Sequence, residues 1–345
     1  MKNLTGKRVL VTGACGTIGK QLIKQLVESD KYSPNEIIGI DNNESELFYA
    51  DENYSDTPFV NFFLGDVRDK SKLLRRTKGV DVVFHVAALK HVIVCERSPF
   101  EAVQSNILGV QNVISAAVEN GVGTVIFTSS DKAVNPTNVM GTSKLMGERL
   151  ITAANSSAAT ETAPVFASTR FGNVLGSNGS VIPIFRRQIE MGGPVTLTDP
   201  EMTRFIMSKE QAAELVLDSA ILANGGEVFI TKMPVIKIST LAEVMIEELA
   251  ELFGHKPEDI DIEVIGVKPG EKLYEELMSD EETRRSVELE DYFSVLPAFR
   301  GMYGDIEYNY DGIKSDTVNN PYNSSKEPEL TKEQLRSFLR DNHLV

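Results

Sequence analysis

The pattern Gly13-x-x-Gly16-x-x-Gly19 constrains this chain more than any other feature. It follows an apolar run, Arg8 to Ala14 (RVLVTGA), that reads as a short buried strand. It opens a segment, Thr17 to Ser29, in which Ile18, Leu22, Leu26 and Val27 share one side of a helix. Glycine at such a turn lets the backbone bend tightly and approach a pyrophosphate, whose charge the helix N-terminus stabilises. A glycine triplet alone is weak evidence. Here a second expected strand, Glu36 to Ile40, ends in Asp41 at the distance where this kind of fold places an acidic residue. A carboxylate there accepts hydrogen bonds from both ribose hydroxyls and repels a 2′-phosphate. The pattern therefore favours NAD over NADP.

Further apolar runs lie at Phe62 to Leu64, Val80 to Ala87, Val122 to Thr128 and Val165 to Phe171, with a long helical pattern from Pro99 to Glu119. Strands alternating with helices imply right-handed crossovers and a parallel sheet covered on both faces. The expected fold is α/β: a Rossmann-type doubly wound parallel sheet with a smaller, mixed C-terminal lobe for substrate. The expected boundaries are 1–175, joined by 206–232, for the NAD-binding domain, and 176–205 with 233–302 for the lobe. Within the lobe, Leu241 to Phe253 has the spacing of an amphipathic helix. Residues 303–345 read as a C-terminal arm. Its Asn-, Asp-, Ser- and Tyr-rich part runs from Tyr303 to Pro328, and a short helix capped by Thr331 runs to Asp341.

Composition narrows the function. A net charge of −15 argues against general nucleic-acid binding, which needs a basic footprint. No stretch approaches the roughly 20 apolar residues that span a membrane, and Met1 to Lys7 lacks the run of a signal peptide. Cys15 and Cys95 have no metal-ligand spacing and fit a reducing compartment. The expectation is a cytoplasmic protein without a membrane segment or metal.

The second informative stretch is Ser129-Ser130-Asp131-Lys132-Ala133, followed by Met140-Gly141-Thr142-Ser143-Lys144. A short-chain dehydrogenase/reductase carries Ser/Thr and Tyr-x-x-x-Lys here. This chain keeps the lysine and has Met140 in the tyrosine's place. A thioether exchanges no proton near neutral pH, so another group must do that work. Asp131 and Lys132 lie just upstream. A missing base beside an additional acid–base pair points beyond simple oxidation.

Several more segments carry a resemblance: His85 to Val92 (HVAALKHV), Arg170 to Gly176 (RFGNVLG), Thr198 to Phe205 (TDPEMTRF) and Lys268 to Lys272 (KPGEK). In this order, with Thr12 to Gly19 and Ser129 to Lys144, they resemble the extended short-chain dehydrogenase/reductases. Within these the chain is most similar to the UDP-N-acetylglucosamine 4,6-dehydratases, in a methionine-containing form. The resemblance covers about the first 300 residues. It implies a tightly bound, recycled NAD and UDP-N-acetylglucosamine as substrate. In the implied reaction hydride leaves carbon 4 for the cofactor, a base takes the proton on carbon 5, an acid protonates the departing 6-hydroxyl, and hydride returns to carbon 6. The work needs at least two proton-handling groups besides the one serving the 4-hydroxyl.

The resemblance assigns Lys132 as the carbon-5 base and Asp131 as the acid. Ser130 would bind the 4-hydroxyl, Met140 would fill the tyrosine's position, and Lys144 would hold the nicotinamide ribose. Cofactor contacts are expected at Gly13, Gly16, Thr17, Ile18, Gly19, Asp41, Asp66, Val67, Ala87, Ala88 and Lys144. Substrate contacts are expected at Lys90, His91, Asn173, Ser180, Val181, Arg204, Lys268 and Glu271, with Arg204 the leading cation for the diphosphate. His85, inside an apolar strand, is expected to be a satisfied core residue. An acid role raises the pKa of Asp131 and a base role lowers that of Lys132; burial favours both shifts, whereas pairing of the charged forms opposes both. Pro136 to Gly141 leans toward retention at carbon 5. Such enzymes form homo-oligomers. A UDP-sugar 4-epimerase shares the fold and cofactor, and a non-catalytic nucleotide-sugar-binding protein is the alternative of another class.

Overall fold

The computed structural model describes residues 3–157, 163–177, 179–266, 270–300 and 306–345. The chain forms two compact units. The first comprises Met1–Phe171, Ala212–Thr231 and Met278–Pro321; the second comprises Gly172–Gln211, Lys232–Leu277 and Tyr322–Val345.

The first unit holds the expected alternation. Its strands are β1 (Arg8–Thr12), β2 (Glu36–Asp41), β3 (Val60–Leu64), β4 (Val82–His85), β5 (Thr124–Ser130) and β6 (Val165–Phe171). They lie in the order β3-β2-β1-β4-β5-β6, all parallel. The order reverses at β1 and β4, so the crevice beyond their carboxyl ends is where such sheets take ligands. Val228–Thr231 extends the sheet in parallel beside β6, and Tyr292–Val295, Ser286–Leu289 and Ile313–Ser315 continue it antiparallel. One core joins Leu10, Ile38, Val83, Val125 and Phe166 of the strands to Val110, Val113 and Ala117 of the helix Gly109–Asn120.

The second unit is built on a three-stranded sheet of Asn173–Val174, Thr203–Met207 and Val235–Lys237. Its core packs Leu197, Met202, Ile206 and Ile236 against Leu241, Met245 and Leu249 of the helix Ile238–Leu249. Leu335 and Leu339 of the C-terminal helix Lys332–Asp341 complete it. That helix starts in a capping box between Thr331 and Gln334.

Three expectations change. Residues 303–345 are not a body of their own, and 278–302 leave the expected lobe. Ile313–Ser315 is a strand of the large sheet, and the Tyr310 hydroxyl bonds Ser294 and Glu227 in its core. Tyr322 anchors the second unit through both backbone groups of Met233. Aromatic rings on a polar background gave that segment its core contacts, and period-based reading misses isolated anchors of this kind. The helix expected over Pro99–Glu119 breaks into Pro99–Ala102, a π-turn at Val103–Leu108, and Gly109–Asn120.

Candidate functional site

At the nucleotide end, β1 leads through Gly13 into the helix α1 (Thr17–Glu28). Gly13 has φ +71°, and a Cβ on it would lie 2.7 Å from the Ala87 nitrogen. A Cβ on Gly19 would lie 2.1 Å from the Gly13 carbonyl oxygen. Only glycine lets the turn press this closely on the segment after β4 and on its own helix. Gly16 caps α1 without a side-chain bond, and no acidic residue sits in the first turn, which holds Thr17 and Ile18. The first amides of α1 therefore suit an anion. The Asp41 carboxylate accepts from the Cys15 amide at 2.9 Å and from the Asn43 amide at 3.0 Å, which fixes it beside the glycine turn. These features fit the adenosine diphosphate half of NAD.

Asp66 and Val67 follow β3. Asp66 is gripped by Arg68 in a forked ion pair at 2.7 to 3.0 Å, and this bond holds its carboxyl below the usual range. The Val67 side chain is core, packed against Gly109. Ala87 and its neighbour Val86 donate their amides to the Thr12 hydroxyl at 3.3 and 3.2 Å. Ala88 is half-buried beside them. Lys90 and His91 are exposed, and His91 is the N-cap of the short helix Val92–Arg97.

The acid–base end forms where β5 stops. A 3-10 turn, Asp131–Ala133, begins at once. Asp131 is 5% exposed. Its carboxylate accepts from the Ser130 hydroxyl at 2.5 Å and from the Lys132 ammonium at 3.0 and 3.1 Å. The Lys132 side chain remains 34% exposed. The turn is pressed on the helix Val139–Ala154, where a Cβ at Gly141 would lie 2.2 Å from the Lys132 carbonyl oxygen. Met140, 3% exposed, packs with Cys95 and Ala102 in a small apolar cluster.

One turn further along, Lys144 is buried. Its ammonium donates to the Thr128 carbonyl at 2.8 Å and lies 4.7 Å from the centre of the Phe127 ring. Burial brings its pKa down to about 8, against the pull of Glu148 and Cys95. Asn106, in the π-turn, bonds both backbone groups of Leu89 and the Ser143 hydroxyl, tying the segment after β4 to this helix. The sequence reading missed Asn106; a polar residue inside an otherwise helical run was its signal. His85 is only half satisfied. Its Nδ1 meets the Thr12 hydroxyl at 2.7 Å, while Nε2 has no partner among the described residues.

The second unit gathers its own polar cluster. Asn173 donates to both Glu275 carboxylate oxygens at 2.9 Å. Arg204 pairs with Glu275 at 3.3 Å and Glu271 at 3.8 Å, and donates to the carbonyls of Thr203, Lys272 and Leu273. The expected diphosphate cation is thus engaged by protein acceptors, and in this geometry it fastens the 271–275 segment to the strand Thr203–Met207. A phosphate would have to displace a carboxylate to be gripped by it. Glu275, 5% exposed, is the residue the sequence reading passed over. Ser180 caps the helix Val181–Glu190, its hydroxyl without a partner among the described residues, and Val181 packs on the core. Lys268 lies outside the described residues.

Comparison with known proteins gives this geometry a family. The profile described as "Polysaccharide biosynthesis protein" matches residues 9–297. The chain belongs to that family. Members of curated standing are similar along nearly the whole chain. An uncharacterized membrane protein of Methanocaldococcus jannaschii is 49% identical, over 97% of this chain and 96% of its own length. A UDP-N-acetylglucosamine 4,6-dehydratase (inverting) of Campylobacter jejuni is 38% identical, over 95% of this chain and 96% of its own. A UDP-glucose 4-epimerase of Rickettsia canadensis is also 38% identical, over 96% and 95%. Among solved structures, Pen from Bacillus thuringiensis superposes with a TM-score of 0.90 at 40% identity, covering 99% of both chains. The family is thus one of extended short-chain dehydrogenase/reductases, and its relatives include enzymes named for reactions of UDP-sugars. No helix among the described residues is long and apolar enough to cross a membrane.

Proposed function

We propose that this chain is an NAD-dependent UDP-N-acetylglucosamine 4,6-dehydratase giving a UDP-4-keto-6-deoxy sugar for surface glycan synthesis. The observation that carries the reading is the Ser130–Asp131–Lys132 cluster at the end of β5. A buried carboxylate, a half-exposed ammonium and a hydroxyl meet in one turn, and Met140 offers no proton chemistry beside them. NAD, when bound, accepts the hydride of carbon 4 and returns it to carbon 6, so it is recycled without leaving. Ser130 orients the 4-hydroxyl, which gives up its proton to water as its hydride leaves. Lys132 takes the proton from carbon 5 once the neighbouring carbon is a ketone, and after exchange with solvent returns one to carbon 5 as hydride reaches carbon 6. Asp131 delivers a proton to the departing 6-hydroxyl. Asp131 and Lys132 are paired in the structure, so their proposed roles require the substrate to part them and the proton to sit on Asp131 before elimination. Lys144 holds the nicotinamide ribose and places positive charge near carbon 4.

In the second unit, Asn173, Arg204 and Glu271 serve the sugar phosphate and the uridine ribose, with Ser180 and Val181 beside the base. Lys90 and His91 are further substrate contacts. The enzyme retains configuration at carbon 5 and works as a cytoplasmic homo-oligomer.

The test is turnover of UDP-N-acetylglucosamine in deuterated water without added cofactor, read by proton NMR and mass spectrometry. A product one water lighter and deuterated at carbon 5 supports the proposal, and its ring couplings decide retention or inversion. An isomer of equal mass without deuterium supports the second reading, a 4-epimerase, which the Rickettsia canadensis relative favours. Binding without turnover supports a nucleotide-sugar-binding protein. Lys132→Ala should abolish deuterium entry while NAD binding persists; full turnover by that variant removes Lys132 as the base.

A further inference from the structure

Two carboxylates of the second unit approach one arginine and are held with very different firmness. Arginine carries five N–H groups in a fixed planar fork. In Arg204, Nη1 donates to the Thr203 carbonyl at 2.8 Å and to the Leu273 carbonyl at 3.3 Å. Nη2 donates to the Lys272 carbonyl at 2.9 Å, and Nε lies 3.3 Å from Glu275 Oε1. Four of the five donors are thereby turned to protein acceptors. The fifth belongs to Nη2. The further acceptor near that atom is Glu271 Oε1, at 3.8 Å, longer than a hydrogen bond.

Glu275 is built in. Its side chain is 6% exposed. Both of its carboxylate oxygens accept from Asn173 Nδ2 at 2.9 Å. With the Phe205 carbonyl at 3.3 Å, three acceptors surround that nitrogen and fix the orientation of the Asn173 amide. The Glu275 amide donates to the Ser324 hydroxyl at 2.9 Å, and the Ser324 amide donates back to the Glu275 carbonyl at 2.9 Å. The same hydroxyl meets Thr203 Oγ1 at 2.9 Å, next to Arg204 in the chain. Displacing Glu275 would strand buried polar groups, which is costly. Glu271 is 30% exposed along its side chain, so water can replace what it gives up. The three carbonyls move only with their backbone segments. All these residues belong to the second unit.

We propose that Glu275 is a positioning residue that holds Asn173 and Arg204 in place with or without ligand, and that Glu271 occupies the ligand's phosphate seat on Arg204 and leaves it when the ligand arrives. The inference rests on the reading of Arg204 as the diphosphate cation and of Glu271 as the acceptor for the ribose hydroxyls. Arg204 then grips the phosphate through Nη2 alone, by one hydrogen bond instead of a bidentate pair. The carboxylate released from Nη2 is the one that takes the ribose hydroxyls, so a single movement serves phosphate and ribose together.

The experiment is calorimetric titration of the full-length, NAD-loaded protein with two probes, inorganic pyrophosphate and UDP. NAD fills the glycine turn, and loss of pyrophosphate binding in Arg204→Ala assigns the signal to Arg204. Glu271→Ala removes both the competitor for Nη2 and the ribose acceptor. Pyrophosphate should bind that variant about 3-fold more tightly, the worth of an exposed pair, whereas UDP should bind about 10-fold more weakly. Glu275→Asp keeps the charge but shortens the reach. It should weaken both probes at least about 10-fold while NAD affinity holds. A merely structural Glu275 would lower the melting temperature and leave both affinities unchanged, and a Glu275 that itself yields to phosphate would leave them unchanged or tighter; either result overturns the proposal. So does unchanged pyrophosphate affinity in Glu271→Ala, which also serves if Glu275→Asp fails to fold, or pyrophosphate binding that survives Arg204→Ala. Wild-type protein that binds pyrophosphate but not UDP removes the uridine reading and leaves the pyrophosphate comparison to decide the proposal. Wild-type protein that binds neither overturns both.

Discussion

Replacing Gly141 with alanine tests whether the proposed acid–base pair is held in place by packing. The added Cβ would lie 2.2 Å from the Lys132 carbonyl oxygen and 3.2 Å from the Pro136 Cβ. Neither the carbonyl nor the first turn of the helix Val139–Ala154 is a flexible side-chain end, so the two must separate by roughly 1 Å. Two energies oppose each other. Alanine gains up to about 1 kcal/mol over glycine in a helix, and less this near the Asn138 cap. Overpacking costs about 1–3 kcal/mol. Net stability should therefore fall by about 0–3 kcal/mol, visible as a drop in Tm. Turnover should suffer far more, because a shift of about 1 Å in reacting groups can cost on the order of 100-fold. Calorimetry gives the first number, and the deuterium-incorporation assay, run with NAD occupancy checked, gives the second. Wild-type turnover in a folded Gly141→Ala protein would refute the idea that this contact sets the position of Asp131 and Lys132.

Three other perturbations have defined outcomes. Burial and Lys144 hold His85 at about 3 against an ordinary value of 6.5, so the fold requires its neutral form. The stability from His85 is complete above pH 6.5 and is lost as pH falls toward 3. Glu282, which Arg170 holds at about 2 despite burial, joins only below 4.5. Between pH 6.5 and 4.5 the wild type should lose about 2 kcal/mol more than His85→Gln in denaturant titrations, and parallel curves would contradict the buried neutral ring. In the second unit, Leu339→Ala should cost about 2–5 kcal/mol, whereas Arg340→Ala, removing an exposed pair with Glu248, should cost under about 1 kcal/mol. Equal losses in thermal melts would reverse that ranking. Asp41→Ala should weaken NAD at least about 10-fold through lost hydrogen bonds to the ribose while leaving UDP affinity unchanged; equal losses in calorimetric titration would remove its ribose role.

The nucleotide half was legible because its rules are local. A strand, a glycine turn and a helix are contiguous, and the steric reason for Gly13 and Gly19 is written in the spacing itself. Asp131 and Lys132 were legible for the same reason, as neighbours at a strand end. What escaped was contact at long separation. Arg170 meets Glu148 and Glu282 across 22 and 112 positions, and Asn173 meets Glu275 across 102. A reader of the sequence sees Arg170 only as the start of a motif. Its place inside the apolar run VFASTRF was nonetheless a signal, because a buried guanidinium must find carboxylates somewhere.

The same logic reorders the roles of the basic residues. Sequence reasoning took a cation near a motif as available to an anionic substrate and ranked Arg204 first. In the structure Arg204 is engaged by two carboxylates and three carbonyls, so the proposed phosphate contact requires a carboxylate to give way. Lys132 differs: it pairs with an acid that the proposed chemistry would consume, and a third of its side chain faces solvent. Lys144 differs again: it is buried on a carbonyl and titrates near neutrality. Three cations read alike in a sequence. Burial and bonding set them apart: Arg204 is held by carboxylates beside the strand Thr203–Met207, Lys132 is paired with Asp131 at a partly exposed turn, and Lys144 is buried on a backbone carbonyl.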